Sequence, residues 1–165
     1  MAARYLRRAR LWLAFFIAGL VLSGVTAFPL QSEIRWLVGI LHEPPLQQVA
    51  SANSLLRWLD QVNEAVSATN AHYPFLAYGT DWLAFAHLVI AMVFIGPWID
   101  PVRNKWVIHF GLIACAAVLP LALIAGQIRG IPFGWRLLDC SFGVAGSIPL
   151  LQCCRLVSKL EKSAS

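Results

Sequence analysis

The chain alternates long apolar runs with short polar breaks, and four of the runs approach the thickness of a bilayer. Leu11 to Phe28 contains no charged residue. From about Thr80 to Ile99 the only ionisable groups are Asp81 at the edge and His87 inside. Trp106 to Ile128 holds His109 near its start, and about Phe133 to Cys154 carries Arg136 and Asp139 in its opening turns. A helix rises ~1.5 Å per residue, so roughly 20 apolar residues cross a hydrocarbon layer of about 30 Å. The pattern therefore predicts four transmembrane helices. Tryptophans mark their ends at Trp12, Trp82, Trp98, Trp106 and Trp135, as befits an amphipathic ring that settles at headgroup level.

Between the first and second runs lies one sizeable water-facing segment, Pro29 to Gly79. Ser32 is placed to cap a short helix from Glu33 to about His42, which Pro44-Pro45 ends. A second helix is predicted from Leu46 to about Ala68, with Leu55, Leu59, Val62 and Val66 at helical spacing. Arg57, Asp60, Gln61 and Glu64 take its other faces, and Arg57 and Gln61 are spaced to interact. Asn70, His72, Tyr73, Pro74 and Gly79 form the loop into the second span. Trp36, Leu37, Ile40 and Leu41 make the first helix apolar enough to lie on the membrane surface or to cap the bundle. Leu55, Trp58, Leu59 and Val62 are the candidate docking surface for a protein partner in the membrane. The competing reading is a helical lid that only shields the bundle ends.

Composition sharpens the class. The 165 residues are 59% hydrophobic and 13% charged, where a soluble domain would be near half apolar and a quarter charged. The mean hydropathy is +0.67. These values exclude a disordered chain, a coiled coil and an ordinary soluble domain. The length suits one membrane domain, an all-α four-helix transmembrane bundle with a helical extracytoplasmic insertion after its first span. The net charge of +5 does not point to nucleic acid, because no Lys/Arg run is threaded with aromatics on a polar surface. Its distribution matters more. Arg4, Arg7, Arg8, Arg10, Arg103, Lys105, Arg155, Lys159 and Lys162 fall on one side, against only Asp100 and Glu161. The basic side faces the cytoplasm, so both termini are expected there and the protein in the plasma membrane. Val25-Thr26-Ala27 mimics a signal-peptide cleavage site, but the apolar run before it is longer than such peptides carry. Retention as an anchor is expected.

Several features bear on helix packing. Gly19-x-x-x-Ser23 and Gly143-x-x-x-Ser147 permit close contact, and Pro120 and Pro149 are expected to kink spans three and four. Gly96-Pro97 and Asp100-Pro101 bracket a tight turn that makes spans two and three a hairpin. The short Gly126–Gly134 loop makes spans three and four neighbours. No inverted repeat suggests a transporter.

The candidate chemistry is sparse. Ionisable groups inside a membrane are costly and face the protein interior or a wet cavity. His87 and Asp139 lie about 9–10 Å below the outer ends of their helices by residue count. With Asp81, Arg129 and Arg136 they form the candidate ligand or proton site. A His–Asp pair can hold a tautomer or move a proton, and a nearby Arg keeps a carboxylate ionised. The competing reading is a mutually satisfied network that fixes helix register. Bis-histidine ligation of a haem across a bundle needs two imidazoles at one level, and His87 and His109 differ in depth by roughly 10 Å; a single histidine with another ligand stays open. His109, Cys153 and Cys154 are a weak candidate set for zinc or copper(I). Cys115 and Cys140 suit small apolar packing. None of the four cysteines makes a CxxC, and no catalytic motif stands out.

The stretches YGTDWLAFAH (78–87) and RGIPFGWRLLDCSFG (129–143) resemble segments of small bacterial four-helix inner-membrane proteins. The resemblance covers roughly the second half of the chain, implies no activity and carries no functional residue over. It favours a bacterial inner membrane. The expected role is a non-enzymatic accessory or interaction subunit of a membrane complex. The alternative is a protein that handles a proton or a ligand such as haem, quinone or lipid through the His/Asp/Arg cluster.

Overall fold

A computed structural model describes residues 2–44, 46–47 and 53–164, without the side chains of Leu55 and Ala164. Among these residues all regular structure is helical. The elements are α1 (Ala2–Ala27), α2 (Leu30–Leu41), α3 (Ser54–His72), a 3₁₀ turn (Pro74–Ala77), α4 (Tyr78–Val93) and α5 (Ile95–Ile99). Then come α6 (Lys105–Pro120), a π-helical stretch (Leu121–Ala125), the single turn α7 (Gly126–Ile128) and α8 (Phe133–Ala164). Four helical segments are long and apolar enough to cross a membrane: Ala2–Ala27, Pro74–Ile99, Lys105–Ile128 and Phe133–Ser163. Their apolar side chains are largely on the outside. Phe15, Ile113 and Phe142 are each 68% exposed, an exterior suited to lipid and costly in water.

The chain divides into two compact units, Met1–Val21 with Leu88–Ser165 and, separately, Leu22–His87. In the first unit Leu13, Phe94, Ile108, Leu150, Cys153 and Val157 are buried in one cluster. The Phe16 ring leans on Phe94 at 4.7 Å between centroids. Helices α6 and α8 come close at glycine positions. A Cβ on Gly143 would stand 2.5 Å from the Cys115 carbonyl oxygen, and one on Gly111 would stand 2.7 Å from Leu150 Cδ1. Without a hydrophobic drive inside lipid, such close packing is what joins helices. Gly143 thus makes the close contact its motif predicts, whereas a Cβ on Gly19 would meet nothing described within 4 Å.

One end of this unit is tied by polar bonds. Arg10 Nε donates to the Trp98 carbonyl at 3.0 Å and Nη2 to the Ile99 carbonyl at 2.9 Å, so a cation closes the carbonyl end of α5. Lys105 pairs with Glu161 at 2.9 Å, and Lys159 Nζ lies 5.7 Å from the centre of the Tyr5 ring. The turn between α5 and α6 is as tight as its prolines predict. Asn104 Nδ2 donates to the carbonyls of Gly96 and Asp100, and Pro97 and Pro101 are buried. The first turns of α1, the last turns of α8 and this turn therefore share one end of the unit.

At its other end, Gly130 takes φ +70°. Ile131 N–H reaches the Gly126 carbonyl and Gly130 N–H the Gln127 carbonyl, the reversal that a left-handed glycine allows after a helix. Pro120 coincides with the change from α to π hydrogen bonding, because a proline supplies no N–H to the turn before it. Pro149 lies inside α8 without interrupting it.

In the second unit α2 packs on α3. Three expectations need correction. Helix α2 begins at Leu30 behind Pro29 with no side-chain cap bond, so Ser32 sits in its first turn; Pro29 instead accepts the Glu33 N–H at 3.0 Å. Helix α3 runs to His72 and α4 starts at Tyr78 behind the 3₁₀ turn, which takes Asn70, His72 and Gly79 out of the predicted loop. Helix α3 begins at Ser54, after the non-helical Asn53, so the second predicted helix does not run unbroken from Leu46. Separately, α8 continues about three turns past the apolar run that ends at Cys154. Leu46 and Gln47 are helical, while residues 48–52 and Pro45 lie outside the described residues.

Candidate functional site

The sequence-derived cluster distributes over the two units: Asp81 and His87 belong to one, Arg129, Arg136 and Asp139 to the other. Asp81 is half-buried in the first turn of α4, where the exposed N–H groups of a helix start favour negative charge. His87 Nδ1–H donates to the Leu83 carbonyl at 2.8 Å. That bond fixes the ring one turn below its own position and leaves Nε2 as the atom able to take a proton or a ligand.

In the other unit Arg129 is exposed at the carbonyl end of α7, where a cation suits the helix dipole. Arg136 has a structural task. Its Nη1 donates to the Leu123 carbonyl at 3.2 Å, inside the π-helical stretch. Its guanidinium carbon lies 5.2 Å from the centre of the Phe133 ring. Gly126 clears the path: a Cβ there would stand 2.6 Å from Arg136 Cδ. The guanidinium is thereby directed across to the third span. Asp139 is half-buried on α8, and among the described residues no cation pairs with it or with Asp81. Arg136 Nε has no described hydrogen-bond partner.

The cysteines are four free thiols. Cys153 is fully buried, 3.5 Å from the Ala9 carbonyl. Its neighbour Cys154 is half-buried and His109 is exposed. Among the described residues no group of three or more His, Cys, Asp and Glu is placed to hold a metal, so His109, Cys153 and Cys154 do not gather into one.

The second unit holds a cleft of 390 Å³ between α2, α3 and the 3₁₀ turn. Gln31, Ser32, Thr69, Asn70 and Thr80 contribute polar groups and Phe28 and Leu76 apolar ones. Asn70 Nδ2 donates to Gln31 Oε1 at 2.7 Å across it, and Thr80 Oγ1 donates to the Ala77 carbonyl at 2.5 Å. Sequence reasoning missed the Gln31–Asn70 link. Only knowledge that α2 and α3 pair would have put these two amides opposite each other.

The candidate docking stripe is partly used up by folding. Leu59 is 6% exposed, and Trp58 and Val62 are half-buried; the Leu55 side chain lies outside the described residues. Other apolar side chains of this unit stand exposed, among them ones on α2 and around the 3₁₀ turn that follows α3. Trp36 is 70% exposed, and no residue of α2 is buried. Tyr73, Phe75 and Tyr78 are exposed as well. Comparison with known proteins returns no match: no family model fits the chain, and no curated protein or solved structure is similar to it.

Proposed function

We propose that the protein is a multi-pass accessory subunit of a bacterial plasma-membrane complex, with both termini in the cytoplasm and α2–α3 presenting a docking face on the opposite side. One observation carries the reading. Ile34, Val38 and Leu41 of α2 are half-buried at helical spacing, yet Trp36 and Leu37 stand exposed at 70% and 39% on a helix without a buried residue. A helix apolar on more than one face needs cover on each, and its own unit supplies only one. The orientation is supported by the basic end of the first unit, where the ties among Arg10, Lys105 and Lys159 bring the cationic segments together.

The test is native mass spectrometry of the protein gently extracted from its own membrane. A stoichiometric complex is expected, lost in Trp36→Ser/Leu37→Ser while the variant keeps its yield and melting temperature. A bare wild-type chain, or a complex indifferent to the double change, overturns the reading. A C-terminal fluorescent-protein fusion that lights up, with an alkaline-phosphatase fusion that stays silent, checks the orientation.

A second reading, proton or ligand handling, is favoured by Asp139. It is a half-buried carboxylate inside a spanning helix with no described ion-pair partner, and such groups tend to be functional. Asp139→Asn should then abolish the cellular phenotype or proton uptake into proteoliposomes without lowering the melting temperature. A fall in stability that tracks the loss assigns it a structural role.

A further inference from the structure

The groove between α1 and α8 binds, we propose, the phosphate headgroup of an anionic glycerophospholipid. The inference rests on reading the first unit as a membrane domain with its basic end at the cytoplasmic leaflet. The groove has a volume of 710 Å³ and lies wholly within that unit. On α1 it is lined by Arg8, Leu11, Trp12 and Phe15, and on α8 by Gln152, Arg155, Leu156 and Lys159. Each set follows i, i+3, i+4, i+7, so each is one continuous helix face. Two complete faces opposed along two turns make a groove with a direction.

That direction separates charge from apolar surface. Contacts run from Tyr5–Lys159 through Ala9–Cys153 to Phe16–Gly146, so the helices are antiparallel and Arg8 stands level with Arg155. Lys159 lies one turn further out. Trp12 lies one turn inward, and Phe15 about 10 Å inward of Arg8. Leu11 is 64%, Trp12 37% and Phe15 68% exposed. No carboxylate lines the groove, and no described carboxylate pairs with Arg8, Arg155 or Lys159. Three cations at a water-facing rim, followed inward by an open indole, phenyl and leucine, match a lipid phosphate followed by its glycerol and acyl chains. A free phosphate would use the rim and leave the inner surface bare. Basic grooves between helices on the cytoplasmic side hold anionic headgroups by this same charge attraction.

The test uses the full-length protein in neutral detergent, titrated with dioctanoyl phosphatidylglycerol, dioctanoyl phosphatidylcholine and inorganic phosphate, and read by native mass spectrometry. One phosphatidylglycerol per chain is expected, at least tenfold tighter than phosphatidylcholine, with inorganic phosphate unable to compete at equal concentration. Arg8→Gln, Arg155→Gln and Lys159→Gln should each weaken binding about fivefold, and the triple variant about a hundredfold. Arg4→Gln/Arg103→Gln/Lys162→Gln removes the same charge outside the groove and should change binding less than twofold. Equal losses from the two triples would mean diffuse attraction and overturn the site. So would equal binding of the zwitterionic lipid. Phosphate binding as tightly as phosphatidylglycerol would make it a soluble-anion site and overturn the lipid assignment. If the groove triple does not fold, Arg155→Gln alone decides, since that exposed side chain has no described partner. Binding in detergent is indifferent to leaflet, so the reporter fusions can fail without this result failing, and the reverse.

Discussion

Gly143→Ala is the sharpest test of how the spans are held together. The added methyl would stand 2.5 Å from the Cys115 carbonyl oxygen and 3.2 Å from Val118 Cβ. The nearer atom belongs to backbone, so no rotamer change relieves it and α6 and α8 must separate. Overpacking of this kind costs about 1–3 kcal/mol. Alanine returns ~1 kcal/mol through its higher helix propensity, leaving a net loss of up to about 2 kcal/mol. For a chain of this size that is a fall in melting temperature of up to roughly 8 °C. Gly19→Ala makes the same chemical change in the same sequence motif but meets nothing described within 4 Å. It should melt at or above the wild-type temperature. Gly146→Ala supplies the internal control, because its methyl would stand 3.0 Å from Cys115 Sγ. Cys115→Ala should therefore rescue Gly146→Ala by about 0.5–1 kcal/mol and fail to rescue Gly143→Ala, whose obstacle is the carbonyl oxygen. Thermal unfolding of all six proteins in one detergent reads the outcome. Equal melting of Gly143→Ala and Gly19→Ala, or equal rescue of both by Cys115→Ala, would refute the close packing of α6 on α8.

Arg10→Gln removes both bonds to the end of α5 and the guanidinium 5.7 Å from the centre of the Trp98 ring; in its partly exposed setting it should cost about 1–2 kcal/mol, read as a lower melting temperature. Glu161→Gln breaks only a half-exposed pair with Lys105 and should cost under ~1 kcal/mol in the same assay. Gly126→Ala and Arg136→Gln both cut the bond to Leu123, so the double variant should be no less stable than the worse single one; additive losses would show that the two act separately. Gly130→Ala forces φ +70° on a residue with a Cβ and should cost about 1–2 kcal/mol by thermal melting.

Much of the architecture was legible because a bilayer imposes a simple rule on sequence. Apolar runs near 20 residues with few charges have few alternatives to helices of spanning length, and four helical segments long and apolar enough to cross a membrane appear. Span ends were less legible. Hydropathy falls after Cys154, but α8 continues because Leu156 and Val157 remain apolar at helical spacing and are buried; the helix becomes amphipathic where the apolar run ends. Ser32 misled for a related reason. A Ser directly before an apolar helix reads as a cap, yet the Pro29 carbonyl already accepts the Glu33 N–H, so the helix starts before Ser32. Of the candidate site residues, the sequence showed their cost and not their use. Arg136 resembled a partner for Asp139 at three residues' distance, but a π-helical stretch on another helix presents a carbonyl to it, and such a stretch has no sequence signature beyond Pro120.

The two kinds of bond in the first unit also divide by position, as a bilayer around its apolar helices would require. Along the spans, contact rests on Gly111, Gly143 and Gly146, where backbones and small groups meet. Lipid offers apolar side chains as good an environment as a neighbouring helix does, so only tighter packing than lipid can provide holds the helices together. At the basic end the ties are ionic or charge-assisted, Arg10 to the end of α5 and Lys105 to Glu161. Such ties need long charged side chains, which are affordable where their heads reach water or headgroups. Arg8, Arg155 and Lys159 stand at this same end without a described carboxylate partner. On the proposed membrane reading, the cations of this end are only partly used in holding the unit together, and the rest would meet the headgroup phosphates.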